Sequence, residues 1–227
     1  STPIPSLSFQ SNRFCSEKLM SRQFMLEKMM QEDHIPQLGD IYDSPFSVCG
    51  VPHPPLRETF DSCKLQLHEL EDKGLEYAFS HGDLCFNNIL ADPLSGIIKV
   101  IDPRISDDVG LPTGVLPCLY DLAKLQHSVK YLYDSIVNNL YEYHSIDSLS
   151  FQLKVFTPNK YEMINSVFND VFGDVINSPE VEILTASLFL SMLPLHCESS
   201  NRMLALAIVG SSIINFPGYY MSHLSLR

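Results

Sequence analysis

The chain is 227 residues long and 45% hydrophobic, enough apolar material to fill the core of one substantial domain with room for a sub-lobe. Its 15 Lys and Arg stand against 27 Asp and Glu, a formal charge of -12 with no basic cluster in the sequence, which argues against a nucleic-acid partner; the acidity reads first as solubility and second as a field suited to a cationic or neutral small molecule. The six cysteines, at 15, 49, 63, 85, 118 and 197, lack the paired spacing of a zinc site or disulfide framework and read as the reduced thiols of a cytoplasmic protein.

The first residues have neither the basic start nor the apolar run of a signal peptide. Residues 14 to 31 carry Cys15, Leu19, Leu26 and Met30 at spacings of four and seven, which predicts an amphipathic helix, followed by a Pro- and Gly-containing loop from Pro36 to Pro55. A second helix is clearer, with Leu56, Phe60, Cys63, Leu67 and Leu70 in one stripe, Pro54 and Pro55 at its head and Gly74 as its stop.

The pattern then changes to two short apolar runs, NNILA and GIIKVID, separated by the turn-forming DPLSG, which predicts a β-hairpin with a loop before it and a loop behind. Asp92 belongs to that turn. From there the expectation is helix to the end: 120 to 140, 157 to 172, 178 to 195 and 201 to 216, with Thr157-Pro158 and Ser178-Pro179 as cap-then-proline starts and Pro217-Gly218 as a stop. The most apolar runs, 183 to 195 and 203 to 216, fall short of the roughly 20 residues that span a bilayer and read as buried helices, so no membrane partner is expected. The expected fold class is α+β, mainly helical, one lobe built around a small hairpin.

A hairpin brings its flanking loops side by side, so Asp83 and Asn88 before the first strand and Asp102 after the second can face one cavity. Oxygen-bearing groups of this kind suit a hard cation such as Mg²⁺, which takes one or two carboxylates and completes its shell with phosphate oxygens and water.

The arrangement H-G-D-x-x-x-x-N at His81 to Asn88, then a hairpin, then Ile101-Asp102, resembles the catalytic core of the protein-kinase-like phosphotransferases, specifically the aminoglycoside phosphotransferase and choline kinase families. Gly82, where protein kinases carry arginine, and the later YDLAKL at 120 to 125 are similar to the small-molecule branch. The resemblance implies a kinase-like C-terminal lobe, with Asp83 as the catalytic aspartate that orients the acceptor hydroxyl and takes its proton. It makes Asn88 and Asp102 the Mg²⁺ ligands that hold the phosphates of ATP. The implied partner is a small molecule bearing a hydroxyl: an amino-sugar, a sugar of surface-polysaccharide synthesis, or an amino alcohol such as choline. A carboxylate with a pKa near ~4 suffices, because a loose phosphoryl-transfer transition state needs alignment and a late proton acceptor.

Around this set, His81 is expected to brace the loop and Asp121 to favour the dipole at the start of its helix. Asp107 and Asp108 read as a solvated acidic loop, and Arg104 as a contact for a phosphate or an acidic neighbour. Tyr131, Tyr133, Tyr141 and Tyr143 either offer aromatic faces to a cation or pack helix against helix. Pro103 and Arg104 depart from the aromatic residue and glutamate common after the metal aspartate in choline kinases.

The resemblance runs from about residue 14 to the end. No GxGxxG occurs, no lysine-bearing strand of the kinase N-lobe is legible before residue 80, and Lys99 lies inside the hairpin. The chain is then expected to be a fragment, a reduced enzyme, or a kinase-like lobe that binds nucleotide or a partner without turnover. With the missing lobe on another chain it would be one half of a split enzyme. A metal-dependent hydrolase using His81 and Asp83 would need more histidines than the region offers.

Overall fold

The described residues of the computed structural model, 13–33, 35–104 and 114–217, begin with α1 (Phe14–Asp33), which buries Cys15, Leu19 and Leu26 as its spacing predicts. Its first turn is held by the carboxylate of Glu71, which accepts the N–H groups of Cys15 at 2.8 Å and Ser16 at 3.1 Å and the Ser16 hydroxyl at 2.5 Å. These are donors that a helix start leaves without intrahelical partners, and an anion there also suits the helix dipole. The stretch expected to be a loop is largely ordered, as α2 (Pro36–Asp43), β1 (Phe46–Val48) and β2 (Val51–His53). Glu71 comes from the end of α3 (Leu56–Asp72), whose predicted stripe is buried throughout and which stops before Gly74 at φ +88°.

The next segment carries β3 (Tyr77–Phe79), a short 3₁₀ turn at Phe86–Asn88, β4 (Ile89–Ala91), β5 (Ile98–Val100) and β6 (Val115–Pro117). β4 and β5 form the predicted hairpin, with Ile89 opposite Val100, and Asp92 shapes its turn by accepting the Leu94 N–H at 3.0 Å and the Ser95 hydroxyl at 2.5 Å. β3 and β6 pair antiparallel across the hairpin's base, Tyr77 opposite Pro117.

Beyond this point the expectation of continuous helix fails in two places. The predicted helix over 120 to 140 divides into α4 (Tyr120–Val129) and α5 (Tyr133–Val137), because Leu132 turns left-handed at φ +56°. Asn138 and Asn139 then end the helical stretch, with Asn139 at φ +59°, a conformation asparagine tolerates better than most residues. β7 (Tyr141–Asp147) and β8 (Ser150–Val155) follow, an antiparallel pair that joins β1 in parallel to make a mixed sheet of order β2-β1-β8-β7. Phe151, Leu153 and Val155 alternate into the core from β8, the period of a half-buried strand.

The C-terminal part is helical: α6 (Tyr161–Ile176), α7 (Pro179–Met192) and α8 (Ser200–Asn215). Thr157-Pro158 does not cap α6, which starts after Lys160, whereas Ser178 caps α7 by accepting the Val181 N–H at 3.4 Å. The last two helices are apolar on nearly every face, and α7 accordingly packs against α1, α3, α4 and α8 at the centre of the chain. Among the described residues no helix is long and apolar enough to cross a membrane.

Gly210 lets α8 approach α7: a Cβ there would meet Leu190 Cδ2 at 3.0 Å and Phe189 Cβ at 3.2 Å. Alanine gains about 1 kcal/mol of helix propensity, but overpacking costs about 1–3 kcal/mol, so Gly210→Ala is expected to lower the melting temperature by a few degrees. A melting temperature at or above that of the wild type would show that Leu190 yields without cost.

Candidate active site

The loop between β3 and β4 is tied to the first turn of α4. Asp121 accepts the His81 N–H at 2.6 Å and the Gly82 N–H at 2.8 Å through its two carboxylate oxygens, a more specific role than the dipole contact expected of it. Gly82 sits at φ +78°, and a Cβ on it would lie 3.2 Å from both Arg104 Cβ and Leu116 Cδ1, so both backbone conformation and close approach require glycine. His81 Nδ1 accepts the Asp83 N–H at 3.3 Å, which puts the proton on Nε2, where it is donated to the Ile101 carbonyl at 2.9 Å. His81 is thus the brace the sequence predicts. The Arg104 N–H closes the same ring by donating to the His81 carbonyl at 2.9 Å.

The predicted site residues lie on this frame. Asn88 donates its amide N–H to the Asp83 carbonyl at 2.9 Å, which commits the nitrogen and leaves the amide oxygen as the atom a cation would use. The Ile101 N–H extends the β4–β5 ladder to the Asn88 carbonyl at 3.0 Å, so Asp102 is the next residue beyond Asn88's partner. Asp102 is exposed and left-handed at φ +57°, a conformation uncommon outside glycine. Its backbone is pinned on both sides, by Ile101 to Asn88 and by Arg104 to His81. One amide oxygen and one carboxylate fit Mg²⁺, which would draw its other ligands from water and phosphate. Among the described residues no three His, Cys, Asp or Glu side chains gather for a metal.

Of the charges around Asp83, Arg104 pairs with an acidic neighbour, one of the two roles expected of it, whereas sequence reasoning missed Lys124. Lys124 Nζ lies 2.9 Å from Asp83 Oδ1, and Arg104 Nε lies 3.4 Å from Oδ2. The Lys124 side chain is 3% exposed and that of Asp83 16%, so this is an interior ion pair. Burial pushes the Asp83 carboxyl up, but Lys124, Arg104 and Lys18 together outweigh it and hold it below the ordinary carboxylate range. Burial, then repulsion from Arg104, pulls Lys18 down to about 8. Lys124 follows Asp121 by three residues, which places both on one face of α4.

Of the remaining candidates, Tyr133 stays within electrostatic reach of this centre: burial, then the Asp83 carboxylate, pushes its hydroxyl up. Tyr131 and Tyr133 are buried, with the Tyr131 hydroxyl donating to Glu182, while Tyr141 and Tyr143 lie on a strand instead of a helix. Tyr133 stacks on the buried ring of His127 at 3.9 Å, and burial holds that imidazole well below its usual range. Asp107 and Asp108 lie outside the described residues. On the other side of the loop a cleft of about 180 Å³ is lined by Phe86, Leu132, Asp134 and Tyr161 among others. Asp134 accepts the Asn87 N–H there at 3.3 Å, and burial raises its carboxyl.

No protein-family model, curated protein or solved structure matches the chain.

Because the folded-state pKa of Asp83 lies below its unfolded value near ~4, its ion pairing stabilises the fold above that value and is lost as pH falls through the folded one. Asp83→Asn is therefore expected to lose stability at pH 7 and to show a shallower fall than the wild type below pH ~4 in chemical denaturation. Parallel acid limbs for the two proteins would show that the pairs contribute nothing.

Proposed function

We propose that the chain is an ATP- and Mg²⁺-dependent phosphotransferase acting on the hydroxyl of a small molecule. The observation that supports this reading best is the pinned loop: one hydrogen-bonded frame holds an ionised Asp83 and the amide of Asn88 and fixes the backbone on either side of Asp102. Bound Mg²⁺ would draw charge from the phosphate oxygens and hold them in line with the acceptor. Asp83 would orient the acceptor hydroxyl and accept its proton late, as the new oxygen–phosphorus bond forms and ADP departs. Its lowered pKa keeps the group ionised but makes it a weak base, which a loose transition state tolerates because it asks for alignment and only late proton transfer. His81, Gly82 and Asp121 would act by position, fixing the backbone from which Asp83 projects.

A second observation favours the version in which a further lobe or partner completes the site. The β4–β5 hairpin exposes Leu90, Leu94, Ile97, Ile98 and Val100, with Leu94 97% and Ile98 68% exposed, and among the described residues neither strand pairs with a third. A two-stranded ribbon with apolar faces in water is weakly stable alone and prone to pair. This is the face on which a nucleotide-covering lobe would be expected under the phosphotransferase reading.

Calorimetric titration of ATP with and without Mg²⁺ tests the main reading. Magnesium-dependent binding is expected in the wild type, its loss in Asp102→Ala, and retention of nucleotide binding without phosphoryl transfer in Asp83→Ala. Transfer by Asp83→Ala at the wild-type rate would overturn its assignment. Magnesium-dependent binding in Asp102→Ala equal to wild type would overturn that of Asp102.

A further inference from the structure

In a chain with a formal charge of -12, the immediate surroundings of Asp83 carry the opposite sign. Lys124 from α4 and Arg104 from the strand-following loop both reach its carboxylate, at 2.9 and 3.4 Å. Lys18 from α1 is brought to the same face of α4 through Tyr120, one turn before Lys124, whose hydroxyl it bonds at 2.6 Å. Lys18 makes no ion pair of its own among the described residues. Two cations from separate elements therefore share one carboxylate, and a third, Lys18, stands near enough to Arg104 to be repelled by it. Asp83 cancels one unit of this positive charge, which leaves an excess at this point, and an oxyanion ligand with several acceptor oxygens would be held by it.

We propose that Lys124, Arg104 and Lys18 form a phosphate-binding subsite beside Asp83, filled by the phosphate of a nucleotide or by that of a phosphorylated acceptor. The subsite deepens the phosphotransferase reading and rests on it for its part in transfer. When phosphate arrives, Arg104 and Lys124 turn part of their charge pairing from Asp83 to the phosphate oxygens. The cluster then offers its charge where a phosphoryl group is closest to the acceptor oxygen.

The test is titration of inorganic phosphate into the full chain, followed by phosphorus NMR and calorimetry, with Arg104→Gln, Lys124→Met and the distant control Lys154→Gln. Phosphate is expected to bind the wild type and Lys154→Gln alike and to bind Arg104→Gln about tenfold more weakly. Lys124→Met is expected to lose binding. Should it fail to fold, the half-exposed Arg104 gives the answer alone. Competition between phosphate and MgATP would identify the nucleotide as the source of the phosphate. Unchanged phosphate binding under saturating MgATP would identify the acceptor instead. No phosphate binding to the wild type, or equal binding to wild type and Arg104→Gln, would overturn the subsite even if MgATP binds normally. Phosphate binding lost in Arg104→Gln but with no MgATP binding by any form would leave the subsite standing and remove the phosphotransferase reading.

Discussion

The carboxylate of Asp121 receives two successive backbone N–H groups, from His81 and Gly82, and the position of Asp83 depends on that contact. A partly buried N–H without an acceptor is costly, so a loop whose donors are matched to one fixed carboxylate has few alternative conformations. Asp121 is itself fixed because α4 is fastened to the core: Gln126 donates to the Ile176 carbonyl at 2.5 Å and accepts the Thr185 hydroxyl at 2.6 Å. The glycine at 82, the single histidine tautomer and the bond from Arg104 back to His81 all follow from bringing this loop against α4. The rigidity of the catalytic candidate is thus borrowed from the helical centre of the chain.

The charges near Asp83 are set by a different balance. At about 4 Å, two unit charges with an effective dielectric near 20 interact by about 4 kcal/mol, whereas exposed pairs contribute about 1 kcal/mol or less. The pair of Asp83 with the buried Lys124 belongs to the first kind, and pairs such as Arg13 with Asp72 at 2.8 Å belong to the second. The chain's average charge therefore says little about its site: a handful of interior cations outweigh a larger number of solvated carboxylates. A small-molecule acceptor inferred from net charge alone would be given the wrong sign at the one carboxylate where it matters.

Much of the fold was legible where a single physical signal acted alone. The stripe from Leu56 to Leu70, the β4–β5 hairpin and the Ser178 cap each arise from local periodicity or turn chemistry, and each forms as read. The mixed sheet was not legible as a sheet, because β1 and β8 are separated by about a hundred residues and pair through only Ser47–Ser150 and Val48–Phe151. The alternation of Phe151, Leu153 and Val155 was present but lay between two strong helical patterns. In the site, the spacing of Asp83, Asn88 and Asp102 was readable because a hairpin joins them. Lys124 was not, since only the docking of α4 against the loop turns a lysine in a helical pattern into the partner of Asp83.

The two halves of the candidate site rest on unequal foundations. Asp83 is joined to the core through Asp121 and Lys124, while Asp102 and the amide oxygen of Asn88 stand at the base of a hairpin exposed along both strands. Native chains open first where buried apolar contacts are few, and β4–β5 has few of them. A cation shared between Asn88 and Asp102 would bind the less stable half and tie the end of the hairpin to its start. Part of its binding free energy would then go into ordering the ribbon, and the affinity observed would be lower than the ligands alone imply. Anything that covered the apolar face of the hairpin would remove that deficit without touching the metal, so cation affinity and occupancy of that face are thermodynamically linked.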